Sequence, residues 1–344
     1  MDLLHWKVIK IIHETRQAAS IFLKKVNAGP FSYQAGQFLT FIFSFHDREI
    51  RRSYSFSSAP GVDSDIAVTV QRIPNGHISR LLHDTLKPGD SLYSLASSGR
   101  FTIDADPSSK RQVFFIAAGS GITPVFSLIK KMLVEEPLTE LILIDQNRDE
   151  ASIIFKQQLL DVQKKHPQTF QWINLLSRPL ENENISQRLT NFSLEELILK
   201  KVSPKRQNLF YICGPPSFMR MAHFTLRLMG FLDDQIRREN FRVDYMPALP
   251  MIADSSPKQI RLQYKGQTHQ FEISYPTNIL QGALNNRIQL PYSCRGGRCS
   301  TCVARCLSGR VIMSINEVLT DKDLREGLVL TCVGYAMTDL ELSV

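Results

Sequence analysis

The chain has 344 residues, too many for one ordinary core and enough for two or three domains. At 43% hydrophobic and 22% charged residues its composition is globular, which excludes a disordered chain or a membrane protein. Lys and Arg outnumber Asp and Glu by 41 to 33, a net charge of +8. No basic block interleaves with aromatics, so the excess reads as a solvated surface or a face for an acidic protein partner, and no nucleic-acid site is expected. Apolar runs such as 112–129 are broken by Gly119, Ser120, Gly121 and Pro124, and no basic segment precedes an apolar one at the N-terminus. Neither a membrane span nor a signal peptide is expected.

Six short strand-favouring runs come first, at 8–12, 19–24, 37–43, 52–56, 66–72 and 91–94, with one helix near 79–84. Turn material such as Ala28-Gly29-Pro30 and Lys87-Pro88-Gly89-Asp90 parts them, and the spacing predicts a closed antiparallel barrel. From 111 to 243 the pattern alternates. Strands are predicted at 113–117, 141–144, 171–175 and 209–213, and helices at 124–134, 153–165, 194–200 and 217–229. That is a parallel α/β sheet of nucleotide-binding type. Three prolines in eleven residues (Pro247, Pro250, Pro257) mark a linker at 246–257. A hairpin at 259–264 and 268–273 and a short helix at 278–287 lead into a cysteine loop. The expected modules are therefore 1–106, 107–245 and 258–344.

Four of the six cysteines fall within 39 residues: Cys294-x4-Cys299-x2-Cys302, then Cys332 after 29 more. Too few for a disulfide scaffold and too clustered for chance, they read as a metal site in a reducing, cytoplasmic compartment. Four thiolates at plant-type ferredoxin spacing are what a [2Fe–2S] cluster needs. Structural zinc would prefer two close pairs, and only Cys299 and Cys302 form one. A bacterial [4Fe–4S] run would use Cys306, but no Cys-Pro ending follows it. Cys306 is expected in a core, as a small hydrophobe on a strand at 303–306.

Two loops of the α/β region suggest a nucleotide. Gly119-Ser120-Gly121-Ile122-Thr123-Pro124 follows a buried strand and opens a helix, where glycines let a backbone approach a pyrophosphate. The third glycine of the usual fingerprint is missing. Cys213-Gly214-Pro215-Pro216 ends the last predicted strand, at the edge where such sheets bind ligands, and Cys213 would floor a nicotinamide pocket. In the barrel region, Arg52-Ser53-Tyr54-Ser55 alternates so that Arg52 and Tyr54 share a face. Gly76-His77-Ile78-Ser79 offers a second phosphate cradle, although an ordinary helix N-cap explains Ser79 equally well.

Taken in order, these motifs resemble those of ferredoxin–NADP⁺ reductase-like flavin reductases carrying a C-terminal plant-type [2Fe–2S] ferredoxin domain. Oxygenase reductase components and hybrid-cluster protein reductases are of this type. Arg52–Ser55 matches the family's R-x-Y-S flavin motif and Gly76–Ser79 its G-x-x-S pyrophosphate motif. Gly119–Pro124 and Cys213–Pro216 match its nicotinamide motifs, and Glu239-Asn240-Phe241 its E-x-F ending. The resemblance implies an antiparallel FAD-binding barrel, a parallel α/β NAD(P)-binding domain and an α+β β-grasp ferredoxin domain.

It also implies roles. Arg52 would hold the flavin phosphate, Tyr54 would pack on the isoalloxazine or ribityl chain, and Ser55 would hydrogen-bond flavin N5. Ser53, Val70 and Gln71 would line the flavin, with Gly76, His77 and Ser79 at its pyrophosphate and Phe241 beside the cofactor. Gly119, Gly121, Thr123, Pro124, Cys213, Gly214 and Pro215 would bind NAD(P)H, and Glu239 would act near the nicotinamide with Ser55 and Cys213. Hydride would pass from NAD(P)H to FAD, and electrons would leave singly through the cluster at Cys294, Cys299, Cys302 and Cys332 to a protein acceptor. Arg295, Arg298 and Arg305 would present a basic docking face on a monomer. A free-standing diaphorase acting on a small molecule, or a redox-sensing module, are the alternatives. NADH and NADPH are not distinguished, with Arg148 and Ser177-Arg178 the candidates for a 2′-phosphate.

Overall fold

A computed structural model describes residues 3–45, 48–180, 187–241, 249–252 and 254–344. The expected boundary at 245 and part of the expected linker lie outside them. The chain divides into one compact unit ending at Glu239 and a second from Asn240 to Val344.

The first unit opens with β1 (Leu4–Thr15), β2 (Ala18–Lys25), β3 (Phe38–Phe45), β4 (Arg48–Ser55) and β5 (Ile66–Gln71), then α1 (His77–Asp84) and β6 (Ser91–Ser94). Their order is β4-β3-β6-β1-β2-β5, and a bridge from Phe56 to Val68 joins the two ends of the sheet, so the barrel closes as the spacing predicts. Trp6, Phe41 and Phe56 fill its interior, fully buried. The Trp6 indole N–H, which cannot be left unpaired there, donates to Ser94 Oγ at 2.8 Å.

A five-stranded parallel sheet follows. It contains β7 (Gln112–Ala118), β8 (Glu140–Asn147), β9 (Phe170–Leu176), β10 (Asn208–Cys213) and β11 (Ile236–Glu239), in the order β11-β10-β7-β8-β9. Helices α2 (Ile122–Glu135), α3 (Lys156–Lys165), α4 (Asn191–Lys201) and α5 (Pro216–Leu228) connect the strands. Every residue of central β7 is buried, as expected of a strand covered on both faces. One apolar cluster runs from Ala18, Ala35 and Phe101 through Val125, Leu128 and Ile129 of α2 to Val113 and Phe115 of β7. Polar ties follow the same seam: Ser127 Oγ donates to the Ser58 carbonyl at 2.6 Å and Tyr211 Oη to that of Thr102 at 2.8 Å. Barrel and nucleotide sheet therefore form one unit, although sequence texture separates them.

The second unit holds β12 (Lys258–Tyr264), β13 (Gln267–Ile273), α6 (Ile279–Asn285), β14 (Val303–Ser308), β15 (Val311–Met313), α7 (Asp321–Arg325), β16 (Leu328–Leu330), β17 (Gly334–Ala336) and β18 (Leu340–Ser343). The main sheet runs β13-β12-β18-β14-β16, with β18 parallel to β12 and antiparallel to β14. Lys265 and Gly266, at φ 51° and 73°, make a two-residue turn whose twist suits the β12–β13 hairpin. Asn278 caps α6 by accepting from the Gln281 N–H at 2.8 Å. Among the described residues, no helix is long and apolar enough to cross a membrane.

Candidate functional site

The residues of the first unit expected to bind NAD(P)H lie at the C-terminal ends of β7 and β10. Gly119 takes φ 54°, and a Cβ there would meet only Gln71 Oε1, at 4.0 Å, so its α-carbon faces open space. Gly121 is glycine for another reason. A Cβ on it would lie 2.1 Å from the Cys213 carbonyl oxygen, so the loops after β7 and β10 can touch only if residue 121 has no side chain. Gly214 makes the reciprocal approach, where a Cβ would come within 3.0 Å of Ala118 Cβ and Phe218. Thr123 sits in the first turn of α2, buried, and its Oγ1 has no hydrogen-bond partner among the described residues. Buried hydroxyls rarely go unpaired, so this one is poised for a ligand atom at a helix N-terminus. Pro124 is buried beside it, and Pro215 precedes α5 as its N-cap.

Cys213 is fully buried at the end of β10, and burial pushes its thiol up, a rise to which Glu239 adds once it ionises. In the parallel register of β10 and β11 its partner is Glu239. The Ser55 hydroxyl, at the end of barrel strand β4, donates to Glu239 Oε1 at 3.4 Å. Desolvation pushes the Glu239 carboxyl up to about 8, against the lowering effect of the Ser55 hydrogen bond. A hydroxyl, a carboxyl that holds its proton at neutral pH and a neutral thiol thus meet where the barrel joins the nucleotide sheet. The sequence contains this grouping but hides its basis, because Ile236-Arg237-Arg238-Glu239 is too charged to be predicted as a strand.

On β4, Tyr54 is half-buried and its hydroxyl is pushed up by desolvation, while Arg52 is exposed, with Nη1 donating to the Arg51 carbonyl at 2.7 Å. Ser53 faces the neighbouring strand and shares a hydrogen bond with Thr40 at 2.9 Å. Val70 is buried and Gln71 exposed. Helix α1 begins earlier than expected, with Gly76 as its N-cap. Ser79 is the third helical residue, so the N-cap reading does not hold. Its Oγ donates to the Gly76 carbonyl at 3.1 Å and accepts from the Ile73 N–H at 3.2 Å, closing the turn on itself. A Cβ at residue 76 would lie 2.4 Å from that oxygen, which explains the glycine. His77 is exposed against the Phe45 ring, with centroids 4.3 Å apart. At the far edge, the Arg178 N–H donates to the Arg148 carbonyl at 2.7 Å, which makes these candidates neighbours, and Arg148 Nε pairs with Asp149 at 2.8 Å.

In the second unit the four cysteines are linked by pairwise contacts, Cys294 with Cys299 and Cys332, and Cys302 with Cys332. Gly296 N–H donates to Cys294 Sγ at 3.3 Å, as does the Arg298 N–H, and Cys294 N–H donates to Cys299 Sγ at 3.5 Å. The thiols also contact one another. Contacts with Cys299 and then Cys332 hold Cys294 below the ordinary thiol range, and contact with Cys332 lowers Cys302. The same contacts push Cys299 and Cys332 up. A loop built this tightly needs unusual backbone: Arg295, Gly297 and Ser300 have φ of 51°, 71° and 54°.

The docking arginines divide. Arg295 is exposed and stacks over Tyr292 at 4.3 Å, and Arg305 is exposed with Nη1 donating to the Glu326 carbonyl. Arg298, expected on the same face, is instead 5% exposed and paired with Glu317, Nε to Oε2 at 2.9 Å. Cys306, expected in a core, is only half-buried at the edge of one, and its Sγ–H donates to the Ser308 carbonyl at 3.3 Å. Phe241 belongs to the second unit and is 44% exposed.

Three family models match in sequence order: an oxidoreductase FAD-binding domain at residues 7–103, an oxidoreductase NAD-binding domain at 115–223 and a 2Fe-2S iron-sulfur cluster binding domain at 262–337. The chain is 30% identical over 338 residues to a component of the 1,2-phenylacetyl-CoA epoxidase of Escherichia coli K12, covering 96% of this chain and 94% of that one. It is 32% identical over 352 residues to the ferredoxin reductase component of 3-ketosteroid-9-alpha-monooxygenase from Mycolicibacterium smegmatis, covering 98% and 95%. Its fold matches that of phthalate dioxygenase reductase with a TM-score of 0.60 at 22% identity, over 99% of this chain and 98% of that one.

Proposed function

The chain belongs to the reductases that join FAD-binding, NAD-binding and [2Fe–2S] domains in one polypeptide, and on that premise we propose which residues carry its electron path and where the path ends. It is an NAD(P)H:acceptor oxidoreductase. Bound FAD would supply the conversion of a two-electron hydride from NAD(P)H into single electrons for the cluster.

The residues fit these groups. Four thiols linked by pairwise contacts, with backbone N–H groups on the Cys294 and Cys299 sulfurs, suit an iron–sulfur cluster. The unpartnered Thr123 hydroxyl and the open side of Gly119 suit a dinucleotide at the start of α2. Gly119, Gly121, Thr123, Pro124, Gly214 and Pro215 would hold NAD(P)H. Arg52, Ser53, Tyr54, Val70, Gln71, Gly76, His77 and Ser79 would hold FAD. Phe241 is assigned to the same cofactor by its place in the E-x-F motif. Cys294, Cys299, Cys302 and Cys332 would ligate the cluster. Modules at 1–106, 107–245 and 258–344 around a linker at 246–257 are part of this proposal, and the matched ranges 7–103, 115–223 and 262–337 fall inside them.

The observation that carries the reading is the meeting of Ser55, Glu239 and Cys213. Ser55 reaches it from the barrel, and Glu239 and Cys213 from the nucleotide sheet, so one small polar floor is shared by the two expected cofactor sites. Glu239 would keep a proton on its carboxyl and orient the Ser55 hydroxyl toward the flavin. Buried, neutral Cys213 would exclude water beneath the nicotinamide.

The acceptor would be a separate protein such as a terminal oxygenase, in keeping with the epoxidase and monooxygenase named for the relatives, and acidic patches on it would suit the net charge of +8. Six cysteines without a disulfide suit a reducing cytoplasm, and the protein would work there as a monomer. The test is Cys299→Ser. Ferricyanide reduction by NADH or NADPH should persist, because the flavin site is intact, while reduction of cytochrome c should fall by about tenfold or more. Retention of both activities at wild-type rates would favour a diaphorase without a relay. Anaerobic titration with each nucleotide names the donor from the same spectra.

A further inference from the structure

The cysteine loop contains a charge that ligation does not require. Arg298 immediately precedes Cys299, and its backbone N–H donates to Cys294 Sγ. Its side chain is only 3% exposed. Gly297 takes φ 71°, and the Glu317 N–H donates to the Gly297 carbonyl at 3.2 Å, tying the turn to the segment that carries the counter-charge. Glu317 Oε2 lies 2.9 Å from Arg298 Nε and accepts from Asn240 Nδ2 at 2.8 Å. Arg295, the other arginine between Cys294 and Cys299, is exposed and lies over Tyr292.

We propose that Arg298 is a buried cation that raises the reduction potential of the [2Fe–2S] centre, with Glu317 limiting the effect. The proposal rests on the reading of Cys294, Cys299, Cys302 and Cys332 as the cluster ligands. Reduction of the cluster takes up one electron and adds one negative charge to a centre already surrounded by thiolates. A positive charge held close by favours the reduced state, and burial protects that interaction from solvent and salt screening. Glu317 opposes it with a charge of opposite sign. The two do not cancel, because the Glu317 side chain is 27% exposed and solvent screens it, whereas that of Arg298 is 3% exposed. The ion pair holds the guanidinium in place, since an unpaired buried arginine would be strongly destabilising. Arg298 is thus a positioning residue for electron transfer: it sets how readily the centre accepts an electron and touches no substrate.

The test is a dithionite titration of the loaded, full-length protein, followed by electron paramagnetic resonance. Arg298→Gln should lower the midpoint potential, Arg298→Lys should restore most of the difference, and Glu317→Gln should raise the midpoint above wild type. Arg295→Gln should leave it near wild type, because that charge is solvated. A merely structural pair would change cluster content without this ordered set of shifts. An Arg298→Gln protein with full iron and sulfide content and an unchanged midpoint overturns the proposal. Should Arg298→Gln fail to hold its cluster, Glu317→Gln decides: a midpoint that stays or falls is equally fatal. A wild-type protein with no reducible iron–sulfur signal would instead sink the ligand assignment, a different failure with a different signature.

Discussion

Glu239 shows how one position can join two chemistries. Its carboxyl is pushed from 4.5 up to about 8 by desolvation, while the Ser55 hydroxyl pulls the other way and loses. The sign of the stability effect follows from that rise. Between pH 4.5 and pH 8 the unfolded chain gives up this proton and the folded chain keeps it, so the group's contribution falls as pH rises through the window. Glu239→Gln, neutral throughout, should therefore exceed wild type in thermal midpoint at pH 8 by more than at pH 5. A margin that does not change with pH would mean that the carboxyl is ionised in the fold. The same variant should lower kcat/KM for NAD(P)H by about 10²-fold if the Ser55–Glu239 contact orients the site. The residue was legible as part of Glu239-Asn240-Phe241, but its proximity to Cys213 was not. That depends on the register of two parallel strands, which no local pattern encodes.

At the scale of elements, the loop after β7 and the loop after β10 are one structure. Sequence reasoning assigns Gly119 and Gly121 to phosphate approach, and the geometry divides the work between them. Gly119 faces open space at positive φ, whereas Gly121 is pinned by the Cys213 carbonyl. Gly119→Ala should cost about 1 kcal/mol for the left-handed backbone. Gly121→Ala must displace a backbone carbonyl 2.1 Å from its new Cβ and should cost about 3 kcal/mol, with a matching rise in KM for NAD(P)H. Thermal denaturation of the two variants separates the cases, and equal losses would refute the division. The strands that the sequence reading found are those with continuous or alternating apolar residues, such as β7 and β2. It passed over β11, β15, β16, β17 and β18. The first is mostly charged, and the others have three or four residues each and are strands only because a neighbour pairs with them.

For the whole molecule, the net charge of +8 gains a narrower meaning. Of the three arginines expected to face a partner, Arg298 is turned inward, which leaves Arg295 and Arg305 as the exposed pair near the cluster loop. An Arg295→Glu, Arg305→Glu double variant should slow reduction of an acidic protein such as cytochrome b5 by about tenfold at low salt. It should leave basic cytochrome c unharmed or faster, and the difference should shrink as ionic strength rises. Equal slowing of both acceptors would indicate damage to the relay and not to docking. The sequence alone determined the order of the FAD-binding, NAD-binding and [2Fe–2S] domains and singled out the candidate ligands and nucleotide loops, because glycine turns, cysteine spacing and apolar periodicity are local signals. Only the tertiary structure decided that barrel and nucleotide sheet share one core, that Ser55, Glu239 and Cys213 meet, and that Arg298 is enclosed while Arg295 is not. Each of these depends on which distant residues pack together, and neighbouring arginines with the same chemistry carry no mark of which one the fold will bury.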